Sequence, residues 1–136
     1  MGYTLGDRSK ARLRGVHTDL QRVVELAITL TEQDFSVGEG LRSVERQRTL
    51  VAKGKSTTMN SRHLTGHAVD LLPYPFDGDV DEDGIPNIED WDQYYPIADA
   101  MKSAAEQLGV DLEWGGDWKS FKDGPHFQLS WEIYPK

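Results

Sequence analysis

The sequence predicts an α+β fold: a small single domain, mainly an antiparallel sheet flanked by helices. Its 136 residues suffice for one hydrophobic core and not for two ordinary domains. Apolar periodicity orders the elements helix, strand, helix, strand, helix, strand, strand, and the last two strands lack the helical crossover a parallel pair needs. No internal repeat, linker or compositional boundary divides residues 1–136.

The first helix follows from Leu13, Val16, Leu20, Val23, Ala27 and Leu30, spaced by three and four with charged residues between them. Phe35 and Val37 alternate with polar neighbours as in a strand, Gly38 and Gly40 interrupt, and Ser43 is suited to cap a second helix running to about Lys53. Arg42 therefore sits at a strand-to-helix junction. Residues 54–65 turn to Lys, Ser, Thr and Asn without periodicity and read as a surface loop. Ala68 to Leu72 is a short buried strand ended by Pro73 and Pro75. Ile97, Met101, Ala104, Ala105 and Leu108 form one face of a long helix that Gly109 stops. Leu112 to Trp114 and His126 to Trp131 are the final strands, the latter with Phe127, Leu129 and Trp131 on one face and His126, Gln128 and Ser130 on the other.

The net charge is −8, but Asp77 to Asp92 holds eight acids and no base; the remaining 15 acids match the 15 Lys and Arg. No basic face exists to displace counterions from nucleic acid or to attract anionic lipid, so neither is an expected partner. Nothing resembles a membrane span, and the N-terminus lacks the regions of a secretory signal, so the expectation is a monomeric protein made in the cytoplasm without membrane insertion. With no cysteine, any zinc must be held by imidazole and carboxylate.

Two segments carry chemistry. In SRHLTGHAVD, His63 and Asp70 flank the small residues Gly66 and Ala68, which let the backbone close around an ion. In DGPHF, Asp123 precedes His126 by three residues. A hydrolytic metal site needs about three protein ligands, an open position, and a nearby carboxylate to move protons. Taken singly, the first segment reads more readily as polar surface and the second as an Asp-Gly-Pro turn. Trp118, in a polar Gly-rich turn, is a candidate for ligand contact, whereas Trp114 and Trp131 fit strand core positions. Asp117 is suited either to orienting a ligand histidine or to capping a turn. His17 reads as solvated, and His67 as a residue at the rim of the cleft.

Together the segments resemble the SxHxxGxAxD and (D/E)xxH motifs of the zinc D,D-peptidases related to the VanX and VanY resistance enzymes, met here at Ser61, His63, Gly66, Ala68, Asp70, Asp123 and His126. GLRS, YYPIADAMK and WGGDWKSFKDGPHF are similar to phage members of the L-alanyl-D-glutamate endopeptidase type. The resemblance implies a Hedgehog/DD-peptidase-like fold, zinc on His63, Asp70 and His126, Asp123 as the catalytic acid/base, and Arg42 steadying the oxyanion. Ser61 and Trp118 are expected to contact substrate. The implied activity is that of a bacteriolytic phage endolysin cutting bacterial peptidoglycan stems after the host membrane has been opened. For Arg42, an ion pair with Glu39 or Glu45 is the plainer alternative.

DVDEDGIPNIED, from Asp79, has the oxygen-ligand spacing of an EF-hand-like calcium loop: Asp79, Asp81, Asp83, the Ile85 carbonyl and Asp90, with Gly84 at the sharp turn. Asp90 replaces the usual Glu, and a solvated acidic loop is the competing reading. Because related phage enzymes are typically shorter here, residues 77–92 read as an insertion. Two other functions remain open: a D,D-carboxypeptidase removing terminal D-alanine, and a non-catalytic, metal-containing wall-binding domain. A calcium-binding interaction module would leave both motifs unexplained.

Overall fold

A computed structural model describes residues 2–54, 56, 59, 61–74, 92–119 and 123–135. The expected calcium ligands Asp79, Asp81, Asp83, Ile85 and Asp90 lie outside the described residues. In chain order the elements are α1 (Asp7–Arg12), α2 (Thr18–Leu30), β1 (Phe35–Glu39), α3 (Val44–Ala52), β2 (Ala68–Pro73), α4 (Tyr94–Leu108), β3 (Leu112–Trp114) and β4 (His126–Leu129), with single 3-10 turns at Arg62–Thr65 and Gly115–Asp117. The strands form one sheet in the order β1-β2-β4-β3, every pair antiparallel, as the sequence predicts.

Alternation divides the sheet into two faces. Val69 pairs with Phe127 and Val37 with Leu71, and these residues join Leu20, Val23, Val24 and Ala27 of α2 and Ile97, Met101 and Ala104 of α4 in the core. Asp70 pairs with His126 and Ala68 with Gln128 on the opposite face, where the polar groups gather. The register of β1 slips between Val37 and Glu39, so that Glu39 pairs with Asp70. This bulge turns Glu39 from the core face to the polar one. The outer edge of β1 is covered by α1: Ser9 Oγ accepts from Val37 N (2.9 Å), and Arg12 donates to Val37 O (3.0 Å).

Three boundaries differ from the sequence reading. The predicted first helix breaks at Gly15, where φ is +84°, and resumes at Thr18 with the His17 imidazole accepting from Asp19 N. Leu13 and Val16 stay buried through the break, because apolar spacing records which residues face the core and not the backbone joining them. His17 is thus a half-buried helix cap, its ring 5.5 Å from that of His67, and not a solvated side chain. The expected surface loop ends instead in the 3-10 turn bearing buried Arg62 and His63. The last strand stops at Leu129, and Trp131 lies 40% exposed with the Arg62 guanidinium 4.0 Å above its ring.

Candidate active site

Three elements bring His63, Asp70 and His126 together. Asp70 and His126 are cross-strand partners on β2 and β4, so their side chains rise from the same face at neighbouring positions. His63 comes from the 3-10 turn leading into β2. Ser61 caps that turn by accepting from His63 N (3.2 Å), and Gly66 ends it at φ +76°. A Cβ on Gly66 would collide with the Gly15 carbonyl, so the motif glycine packs this turn against the break between α1 and α2. The corner after β1 holds the histidine twice: Arg42 N donates to His63 O (2.9 Å), and the ring Nδ1 meets Gly40 O at 2.8 Å.

A carbonyl oxygen can only accept, so His63 Nδ1 carries the proton and its Nε2 lone pair faces Asp70 Oδ1, 3.2 Å away. On the other side, His126 Nε2 meets Gln128 Oε1 at 2.8 Å, leaving Nδ1 3.4 Å from the same Asp70 oxygen. Three electron-rich atoms, all within 4.8 Å of one another, therefore converge. They repel unless a cation lies among them. A tetrahedral zinc with bonds of about 2.0–2.1 Å separates its ligands by about 3.4 Å, which matches the 3.2 and 3.4 Å spacings here. The donor set thus fits a divalent metal, and the histidines are already turned to present it with lone pairs.

With a proton in place of a metal ion, the same atoms are held together by hydrogen bonds. Burial pushes the Asp70 carboxyl up, but the charges and hydrogen bonds of His63 and His126 outweigh it and hold the group well below the ordinary carboxylate range. Burial lowers His126, yet its hydrogen bond and attraction to Asp70, with help from Asp123 and Gln128, leave it raised. In the metal-free protein a proton partly takes the cation's place.

Asp123 lies in the turn before β4. Its N–H donates to Gly115 O (3.1 Å), and its carbonyl accepts from His126 N (3.2 Å). A Cβ on Gly115 would strike the Asp123 carbonyl, so only glycine allows this approach. Trp114 reinforces the turn by donating its indole N–H to Gly124 O (2.7 Å). Burial, and next the negative charge of Asp70, push the Asp123 carboxyl up to about 6, against the pull of His126, His63 and Arg42. A carboxylate tuned near neutrality suits proton transfer in both directions.

Arg42 is nearly buried. Its guanidinium binds Glu39 through Nε (3.0 Å) and a terminal nitrogen, binds Gln47 Oε1 (2.7 Å), and approaches Asp70 Oδ2 at 3.6 Å. The ion pair with Glu39 and the position beside the metal ligands therefore coexist, the first serving the second. Trp118 lies against His126 with ring centroids 5.3 Å apart. Asp117 is an exposed carboxylate paired with Lys102 at 2.8 Å and does not orient a histidine. That task falls to Gly40 and Gln128, because the 3-10 turn at Gly115–Asp117 carries Asp117 outward. The sequence reading names Glu39 only as an ion-pair partner of Arg42 and gives no site role to Gln47 or Gln128, although Gln128 shares a strand face with His126.

The family described as phage L-alanyl-D-glutamate peptidase matches this chain over residues 1–129. The chain belongs to that family. The peptidase is 30% identical over 126 residues to the L-alanyl-D-glutamate peptidase of Escherichia phage T5, an alignment covering 90% of this chain and 87% of the relative. Among solved structures it superposes on the L-Ala D-Glu endopeptidase ChiX of Serratia marcescens with a TM-score of 0.82 and 50% identity, covering 96% of this chain and 92% of that one. The D,D-dipeptidase VanXYg shares the fold at a TM-score of 0.51 and 19% identity, over 84% of this chain and 50% of that one. The peptidase is thus an α+β enzyme of the VanX-like fold, and His63, Asp70 and His126 form a group able to hold a metal ion. No helix among its described residues is long and apolar enough to cross a membrane.

Proposed function

We propose that this peptidase hydrolyses the L-alanyl-D-glutamate bond of peptidoglycan stem peptides, with zinc held by His63, Asp70 and His126. The observation that carries the reading is the convergence of two imidazoles and one carboxylate, each imidazole backed by a carbonyl or amide oxygen, with a carboxyl near neutrality beside them. Family membership and the activities for which the T5 and ChiX relatives are named support this choice of bond. Zinc suits an all-nitrogen-and-oxygen set of three ligands.

When bound, the metal ion supplies Lewis acidity to the scissile carbonyl and to the attacking water. Asp123 accepts the proton of that water and delivers it to the departing amine of the D-glutamate. Arg42, clamped by Glu39 and Gln47, faces the negative charge that grows on the carbonyl oxygen, where a fixed donor assists the transition state more than the ground state. Trp118 and Ser61 contact the stem peptide. The enzyme reaches its substrate from the host cytoplasm once the membrane has been opened. Calcium at Asp79, Asp81, Asp83, Ile85 and Asp90 is supported by sequence spacing alone and is read by calorimetric titration with Ca²⁺.

The deciding experiment digests purified peptidoglycan with and without a chelator and identifies the fragments by mass spectrometry. New amino termini on D-glutamate, lost with the chelator and restored by zinc, are expected. Released D-alanine would instead identify a carboxypeptidase, and an intact wall a binding domain.

A further inference from the structure

Behind His126 runs a chain of hydrogen bonds to the edge of the sheet. His126 Nε2 meets Gln128 Oε1 at 2.8 Å, and Gln128 Nε2 donates to Glu113 Oε1 at 3.4 Å. Glu113 and Gln128 are cross-strand partners on β3 and β4, and Gln128 is buried. We infer that Glu113 and Gln128 act as a positioning relay in which the Glu113 carboxylate sets the direction of the chain and thereby fixes His126 in its metal-binding tautomer. The inference rests on the metal site proposed above and adds two residues to it.

The argument lies in what each group can do. An ionised carboxylate only accepts, so the Gln128 atom facing Glu113 must be the amide nitrogen. The amide oxygen is then left to face His126, and as an acceptor it requires Nε2 to carry the hydrogen. Nδ1 is consequently a bare lone pair directed at Asp70 and the metal position. Without Glu113 this constraint disappears. The buried amide can rotate by half a turn, donate to Nε2 and favour the hydrogen on Nδ1, the atom that must bind. His63 needs no such relay, because the Gly40 carbonyl cannot reverse its polarity.

The test measures zinc affinity by competition with a chromophoric chelator, alongside the visible spectrum of the Co²⁺-loaded protein and the melting temperature of the metal-free one. Gln128→Leu should weaken zinc by about 10–100-fold, the range typical when a group orienting a ligand histidine is lost, and Glu113→Gln by about tenfold. The double variant Glu113→Gln/Gln128→Glu should recover most of the affinity, because a carboxylate at position 128 again offers His126 only an acceptor. A structural role for the pair would lower the metal-free melting temperature without rescue by the exchange. Nitrogen NMR of His126 in the wild-type protein, above the pH at which it titrates, should show hydrogen on Nε2. Unaltered zinc affinity in Glu113→Gln, or hydrogen found on Nδ1, overturns the relay while leaving the metal site standing. A wild-type protein that binds no zinc overturns the metal site itself, and the relay with it.

Discussion

Asp70 and His126 stand directly opposite each other on β2 and β4, and Glu39 continues the same row onto β1. This transverse line gives the site its electrostatic layout. One Asp70 oxygen faces both imidazoles and the other faces Arg42, which Glu39 holds from the far side. Asp70→Asn removes the charge shared by both halves. Zinc binding measured by calorimetry should fall by at least about 100-fold, the upper end of what outer partners of a metal site contribute, since here a proposed direct ligand is changed. Retention of stoichiometric zinc would remove Asp70 from the metal site.

Asp123→Ala separates binding from turnover. The variant should hold zinc as the wild type does and lose about 10²–10⁴-fold in kcat, the usual contribution of a positioned acid/base. Full activity on peptidoglycan fragments would take the carboxyl out of the mechanism.

Gly115→Ala tests the same residue from behind. The added methyl meets the Asp123 carbonyl, so the turn must shift. A displacement of about 1 Å at a reacting group costs on the order of 100-fold in rate, and overpacking costs about 1–3 kcal/mol in stability. Kinetics should therefore show a large loss of kcat with zinc still bound, because none of the three proposed ligands lies at the collision.

Arg42→Lys keeps a charge but not a planar fork, so Glu39 and Gln47 can no longer aim it. The expected result is a fall in kcat of about 10²–10³-fold, or about 3 kcal/mol, with a smaller change in KM. Equal loss in binding and turnover would make Arg42 a substrate anchor instead.

The metal-free protein should lose stability as the pH rises. Asp123 is raised to about 6 from an ordinary 3.8, so its contribution to folding is complete below 3.8 and is lost as the pH climbs through 6. His126, also raised, acts in the same direction. Asp70 is depressed, so its contribution is present above its ordinary value and is lost only in strong acid. Melting of chelated protein should show a decline between about pH 4 and pH 6, of at most about 3 kcal/mol from Asp123, and Asp123→Asn should flatten it. Saturating zinc should reverse the trend, because protons compete with the ion for His126.

Local chemistry made much of this protein legible. The four strands and the long helices follow from periodicity, which records burial directly, and the ends at Ser43 and Gly109 follow from capping. His63, Asp70, Asp123 and His126 are legible only together, through the resemblance of their two segments to the family motifs, because each segment alone reads as polar surface or a turn. Contacts between distant segments were not legible in this way. The break at Gly15 depends on Gly66 packing against it, and the aim of Arg42 depends on a bulge that turns Glu39 to the polar face.

The sequence by itself determined which residues are chemically able to bind a metal and move a proton, and which faces of the elements are buried. Only the tertiary structure decided how those residues are held: His63 by a carbonyl, His126 by an amide backed by a carboxylate, and Asp117 turned away toward Lys102. The physical reason is that hydrogen-bond polarity is settled by partners brought together across the sheet, and cross-strand register is a property of the folded chain that no single segment contains.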